Sequence, residues 1–284
     1  MELKNQLLEI RQNAYRLPNE LSELEAVQLV MCSLRSPDGE LRDALGYTIL
    51  SKWLLEKHFL DSDQLKEILG QATSENMLYF KIGESGNDSV FLRTFSSLLI
   101  ALILFRDNQD KFLTKVEFRE TMNQLIHYCK LEKDYRSFVE GKGWAHAPAH
   151  MSDALDECVR SRFVGFDECR ILWDGLQTLL QNAPFVFDAE EDERIAIPAL
   201  AMVEFKKVSA ADLLEWLKKI DIQDSAEVPV YSVVNRVNLT KRVNMKHFIR
   251  CLYMRMKEKS LLKKEEEEQL IRLEHKFNPY FYNI

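Results

Sequence analysis

The chain has 284 residues, 46% hydrophobic and 29% charged, with nine Gly and seven Pro, a balance that suits a helical globular protein and excludes disorder or a collagen-like chain. A chain of this length can bury a sizeable core without disulfide or metal staples. Acidic residues outnumber Lys plus Arg by 45 to 38, a net charge of −7, so the whole molecule is not the cation that non-specific nucleic-acid binding favours.

The first predicted helix carries Leu3, Leu7, Ile10 and Ala14 at helical spacing, and its charged residues distinguish it from a signal-peptide core. Ser22 with Glu25 forms a capping-box pattern, in which the Ser oxygen accepts from the third helical amide while the Glu returns to the N–H of the cap, and a helix to about Leu34 follows. Ser36-Pro37-Asp38-Gly39 ends it. Leu41, Leu45, Ile49 and Trp53 make the next apolar face, and Asp61-Ser62 restarts the pattern.

Gly83 to Asp88 is the clearest break, and the helix predicted from about Ser89 to Phe105 is apolar enough to be central. Its longest apolar run, Leu98 to Phe105, is eight residues against the roughly 20 that span a bilayer. Thr114 with Glu117 opens another helix by a capping box, and Gly141 and Gly143 break the chain beyond it. Further helices are predicted over 153–162, 167–181, 189–205, 210–220, 237–259 and 263–277, while Phe185 to Phe187 and Val228 to Val234 read as short strands or as buried approaches to helices.

The fold class is therefore all-α. Short links favour antiparallel neighbours, and so many helices exceed one four-helix bundle, so the expected architecture is a stack of helical hairpins of the HEAT or armadillo type, a degenerate solenoid forming one domain over 1–284. The five Cys are scattered and lack CxxC spacing, which predicts free thiols in a reducing, cytoplasmic setting.

The segment from Gly143 to Asp153 carries the strongest chemical signal: Trp144, His146, Pro148, His150 and Asp153. In a continuous helix His146 and His150 would sit roughly 40° apart around the axis, with Asp153 roughly 60° to the other side of His150. Two imidazoles and a carboxylate could hold a divalent metal, or work without one as an acid–base pair, His150 the general acid or base, Asp153 its orienter and His146 touching ligand or metal. The metal is the less favoured of the two, because the Glu of a zincin motif is missing after His146 and because Pro148, comfortable in a first helical turn, can leave His146 outside the helix. Whether the protein is an enzyme stays open.

The pattern Gly143-Trp144-x-His146-x-x-x-His150-x-x-Asp153 resembles the central motif of a bacterial family of unknown function, DUF2785. The resemblance extends to Leu41–Tyr47, Gly86–Ser96, Arg106–Asn108 and Glu191–Arg194, covering the chain from roughly Leu21 onward. It implies an all-helical, HEAT-like protein and lends no activity, cofactor or catalytic assignment. Two departures stand out: Asn87 precedes Asp88 where the family resembles Gly-Asp-Ser, and Pro148 sits inside the histidine motif.

Ser89, Arg93 and Ser96 can share one helix face that receives a phosphate or carboxylate, against the plainer reading of a cap and an Arg–carboxylate pair. If Arg42, Arg93, His146, His150, Asp153, Glu193 and Arg194 converge with Trp144 as a wall, they form a pocket for a small polar or anionic ligand. The alternative is a non-enzymatic scaffold that presents its helical surface to a protein partner. Nucleic-acid binding is a third and less favoured reading: ten Lys or Arg from Arg236 to Lys264, with Arg242, Lys246 and Arg250 in register, form a basic stripe that the following Glu265 to Glu268 can neutralise. No membrane partner is expected.

Overall fold

A computed structural model describes residues 2–222 and 232–278. It is 69% helical, with twelve α-helices and one two-stranded hairpin among the described residues. The chain divides into two units, Met1–Phe163 and Val164–Ile284.

In the first unit, α1 (Glu2–Gln12) and α2 (Glu23–Met31) are followed by a helical stretch in which α3 (Thr48–Ser51) lies between two wider turns, Glu40–Tyr47 and Lys52–Glu56, with π-type bonding. The periodicity of Leu41, Leu45, Ile49 and Trp53 gave no sign of these turns, which depend on shifted backbone bonds such as Lys57 N–H to the Lys52 carbonyl. Gly46 lies in the first of them because a Cβ there would come within 1.9 Å of Ser33 Oγ.

Helix α4 (Ser62–Ala72) opens on an Asp61/Gln64 capping box, and α2 and α6 (Lys115–Leu131) open on the predicted Ser22/Glu25 and Thr114/Glu117 boxes. Each cap contributes about 1 kcal/mol by satisfying amides that have no partner inside the helix.

Between α4 and α6 runs α5 (Ser89–Asp110), five residues longer than predicted and ended by Lys111 in the left-handed region. It is long and apolar enough to cross a membrane, yet 94% of its apolar window is buried. It is the core helix of the unit, and α7 (Ala147–Arg160) lies along it. Between α6 and α7 stands a hairpin that the sequence did not reveal, β1 (Phe138–Val139) and β2 (Gly143–Trp144), turning through Gly141 at φ 73°.

The second unit holds α8 (Phe166–Asn182), α9 (Glu191–Glu204), α10 (Ala210–Lys218), α11 (Val233–Glu258) and α12 (Lys264–Lys276). Phe185 to Phe187 forms no strand. The buried Asn244 side chain of α11 takes the Phe187 N–H and donates to the Phe185 carbonyl, doing for this segment what a neighbouring strand would do. Of the second strand candidate, Val233 and Val234 begin α11, and residues 228–231 lie outside the described residues.

Candidate functional site

Helix α7 begins at Ala147, with Pro148 in its first turn, where a missing N–H costs nothing. His146 is thus the N-cap and not a helical residue, at φ 56° and ψ 40°, and the angular relation expected of a continuous helix does not apply to it. Its N–H bonds the Arg136 carbonyl and its own carbonyl accepts from His150 N–H, so one residue ends the hairpin ladder and starts the helix.

This turn lays the Trp144 ring on the His146 imidazole, centroids 4.9 Å apart and planes 23° from parallel. From there a ladder of rings runs inward. His146 meets His150 at 5.7 Å, His150 meets Phe95 of α5 edge-on at 5.2 Å, and Phe95 meets Tyr47 at 6.1 Å. At the outer end Phe138 meets Trp144 edge-on at 5.1 Å. Exposure falls from 57% at Phe138 and 39% at Trp144 to 8% at each histidine and 0% at Phe95, and Tyr47 beyond it is half-buried. Such ring pairs each contribute about 0.5–1.5 kcal/mol beyond the area they bury.

Arg42 supports the ladder from inside. Its guanidinium carbon lies 3.9 Å from the Phe91 centroid and 4.8 Å from that of Phe95, while its nitrogens donate to the carbonyls of Ser36, Lys142 and Trp144. It is fully buried, with Nε unsatisfied, and burial pulls its pKa down to about 10, which leaves it charged at neutral pH. Arg42 is therefore turned to the protein interior and holds the hairpin, where the sequence reading had it facing a ligand.

Arg93 is likewise internal. It forms a two-point pair with Glu132, at 2.7 and 2.8 Å, with both side chains fully buried, and also donates to Ser89 Oγ. Tyr128 Oη and the Lys133 and Asp134 amides donate to the same Glu132 carboxylate. Ser96 donates to the Leu92 carbonyl. The face predicted to receive an anion is an interior ion-pair network, so the Arg–carboxylate pair of the plainer reading describes it, whereas its cap does not: the N-cap Asp88 makes no side-chain cap bond, and Asn87 Oδ1 accepts from the Ser89 amide instead.

Asp153 is half-buried on α7, and among the described residues no group of three or more His, Cys, Asp or Glu side chains is disposed to hold a metal ion. Glu157, about two helical turns beyond His150 on α7, escaped the sequence reading. It accepts from Asn108 Nδ2 at 2.9 Å, and burial, with smaller contributions from Asp156 and Asp153, raises its pKa to about 7. The spacing His150–Asp153–Glu157 was the available signal, since i, i+3 and i+7 share a helix face.

Glu193 and Arg194 belong to the second unit, where Glu193 pairs with Arg255 at 3.2 Å. There Cys251 Sγ and His247 Nδ1 each lie 3.9 Å from Asp192 Oδ2. The basic stripe is interrupted: Arg242 is buried, Arg250 pairs with Glu274, Lys257 with Glu267 and Lys259 with Glu204.

A cavity of about 740 Å³ is lined by α1, the 13–21 segment and Leu29 of α2, and one of about 340 Å³ lies beside the start of α5. Of the candidate site residues, only Ser89 borders either.

A family model described as "Protein of unknown function (DUF2785)" matches residues 78–254, more than half of the chain. The span contains α5, the hairpin and the whole histidine motif, while the Leu41–Tyr47 motif precedes it. No curated protein and no solved structure matches the chain. The chain belongs to the DUF2785 family.

Proposed function

We propose that this is a cytoplasmic, HEAT-like protein that takes a small polar or anionic ligand at the outer end of the ring ladder, against Trp144, His146 and His150. The observation that carries this reading is the Trp144–His146 stack. A β-carbon residue is held in the left-handed region at a cost of about 1 kcal/mol, with the result that an imidazole lies between a partly exposed indole and a second imidazole. Aromatic walls with a few convergent nitrogen groups are what small-ligand sites use for shape and orientation. Neutral imidazoles offer one donor and one acceptor each, and protonated ones two donors, which suits a carboxylate or amide. The free state of all five cysteines supports the reducing setting. If the ligand reacts, His150 serves as general acid or base with Asp153 as its orienter.

A second reading rests on a different observation. Phe138 is 57% exposed on the hairpin beside Trp144, an apolar pair that a protein partner could cover, which would make the protein an interaction scaffold.

Titration with acetate, malonate, citrate and acetamide, read by histidine-ring NMR, separates the two. Ligand binding predicts saturable shifts at His146 and His150 that disappear in His146→Ala and His150→Ala. Absence of shifts with every probe overturns it in favour of the scaffold.

A further inference from the structure

The 340 Å³ cavity beside α5 is a separate place with its own charge logic. Its wall includes the ring of Phe80 and the side chain of Leu92, and its rim includes Arg35, Lys81 and Asp88. Two cations approach one ring: the Arg35 guanidinium carbon and Lys81 Nζ each lie 5.9 Å from the Phe80 centroid. Among the described residues Arg35 has no carboxylate partner, and its guanidinium meets that ring instead. Among the described residues the one carboxylate against Lys81, held at φ 51°, is that of Glu84, at a long 3.9 Å. The carboxylate on the rim is already neutralised, since Lys142 Nζ lies 2.6 and 2.9 Å from the two Asp88 oxygens.

The local balance thus leaves Arg35 without a carboxylate and Lys81 with one distant carboxylate, in a protein whose net charge is −7. Like charges brought to one concavity with only one distant counter-charge repel, and an anion that joins them relieves this. The Ser89 hydroxyl is not free to bind such an anion, because it donates to Asn87 Oδ1 and accepts from Arg93, and the Ser89 amide also bonds Asn87. Recognition falls to Arg35 and Lys81, a planar fork of donors and a point charge, the pair of groups best suited to phosphate oxygens. Phe80 and Leu92 add an apolar wall for the body of the ligand, and the volume falls within the range of small-molecule sites.

We propose that this cavity binds a small phosphomonoester, its phosphate bridging Arg35 and Lys81 and its organic part lying against Phe80. The site is independent of the ring ladder and stands whether or not the ladder binds a ligand.

The test is isothermal titration of the full chain at low ionic strength with phenyl phosphate and inorganic phosphate. Arg35→Gln/Lys81→Gln, Phe80→Ala and His146→Ala/His150→Ala variants serve as comparisons, each checked for folding by circular dichroism. The expected result is saturable binding, with phenyl phosphate tighter than phosphate in the parent but not in Phe80→Ala. The double charge variant should weaken phenyl phosphate by at least about tenfold, the loss of a charge-assisted contact, with His146→Ala/His150→Ala unchanged. The exposed Arg35 and Lys81 side chains leave folding independent of the change. No saturable binding, or binding that survives Arg35→Gln/Lys81→Gln, overturns the proposal. Loss confined to the histidine variant also overturns it and moves the anion to the ladder.

Discussion

Arg42 Nη2 donates to the carbonyl oxygen of Trp144, 102 positions along the chain, at 3.2 Å. A buried cation thereby holds the strand that carries the most exposed ring but one of the ladder. The Arg42→Met substitution keeps much of the volume against Phe91 and Phe95 but strands three carbonyls, those of Ser36, Lys142 and Trp144. It should destabilise the protein by about 2–4 kcal/mol, since each buried acceptor left unmade costs about 1–3 and part is recovered by water. Trp144 is the exposed one of four tryptophans, so acrylamide quenching of fluorescence should rise as the hairpin loosens. Unchanged stability with unchanged quenching would show that Arg42 does not hold the hairpin.

Arg93 and Glu132 form a fully buried pair whose remaining oxygen sites are filled by Tyr128 and two backbone amides. Removing one partner leaves a charge in the interior, so Arg93→Met should cost about 3–5 kcal/mol in urea unfolding. The double variant Arg93→Met/Glu132→Leu should recover at least half of that loss. A double variant as unstable as the sum of the singles would contradict direct coupling.

Glu157 titrates in the folded protein near 7 against a usual value of 4.5, because burial disfavours its charge. The folded state then holds this proton more tightly than the unfolded chain. Its contribution is fully present below about 4.5, falls as pH rises towards 7, and reaches a loss of at most about 3 kcal/mol above that. Glu157→Gln, which keeps an acceptor for Asn108, should be more stable than the parent at pH 8 and nearly equal to it at pH 4. A difference between the two proteins that is the same at both pH values would rule this out.

His146 at φ 56° makes a backbone prediction that separates strain from contact. Both His146→Ala and His146→Gly lose the stack on Trp144, but only glycine enters the left-handed region without a Cβ penalty. His146→Gly should therefore be the more stable of the two by about 1 kcal/mol in thermal or urea unfolding. Equal stability would mean that the turn relaxes when the ring is removed.

The helices announced themselves wherever local chemistry decides them. The Ser22/Glu25 and Thr114/Glu117 boxes involve residues three apart, and the apolar run inside α5 needs no knowledge of its neighbours. Pro148 allowed the helix to begin near it, with His146 outside, and α7 does begin at Ala147, six residues before the helix predicted over 153–162. What could not be read was what depends on distant partners. The ring ladder needs Phe95 and Tyr47 brought to His150, and Arg93 could be recognised as internal only once Glu132 stood opposite it. The hairpin escaped because two-residue strands carry no period, and only Gly141 and Gly143 hinted at a turn. Asn244 stood unnoticed in α11, since nothing in a helical pattern says that its side chain pairs with Phe185 and Phe187.

The central claim is that Trp144, His146 and His150 form the ligand face, and titration of carboxylate and amide probes against histidine-ring NMR with Trp144 fluorescence tests it most directly. Binding there predicts saturable shifts of both ring signals and a change in Trp144 emission at the same midpoint, all lost in His150→Ala. Probes that leave the His146 and His150 signals and the Trp144 emission unmoved up to millimolar concentration would contradict it.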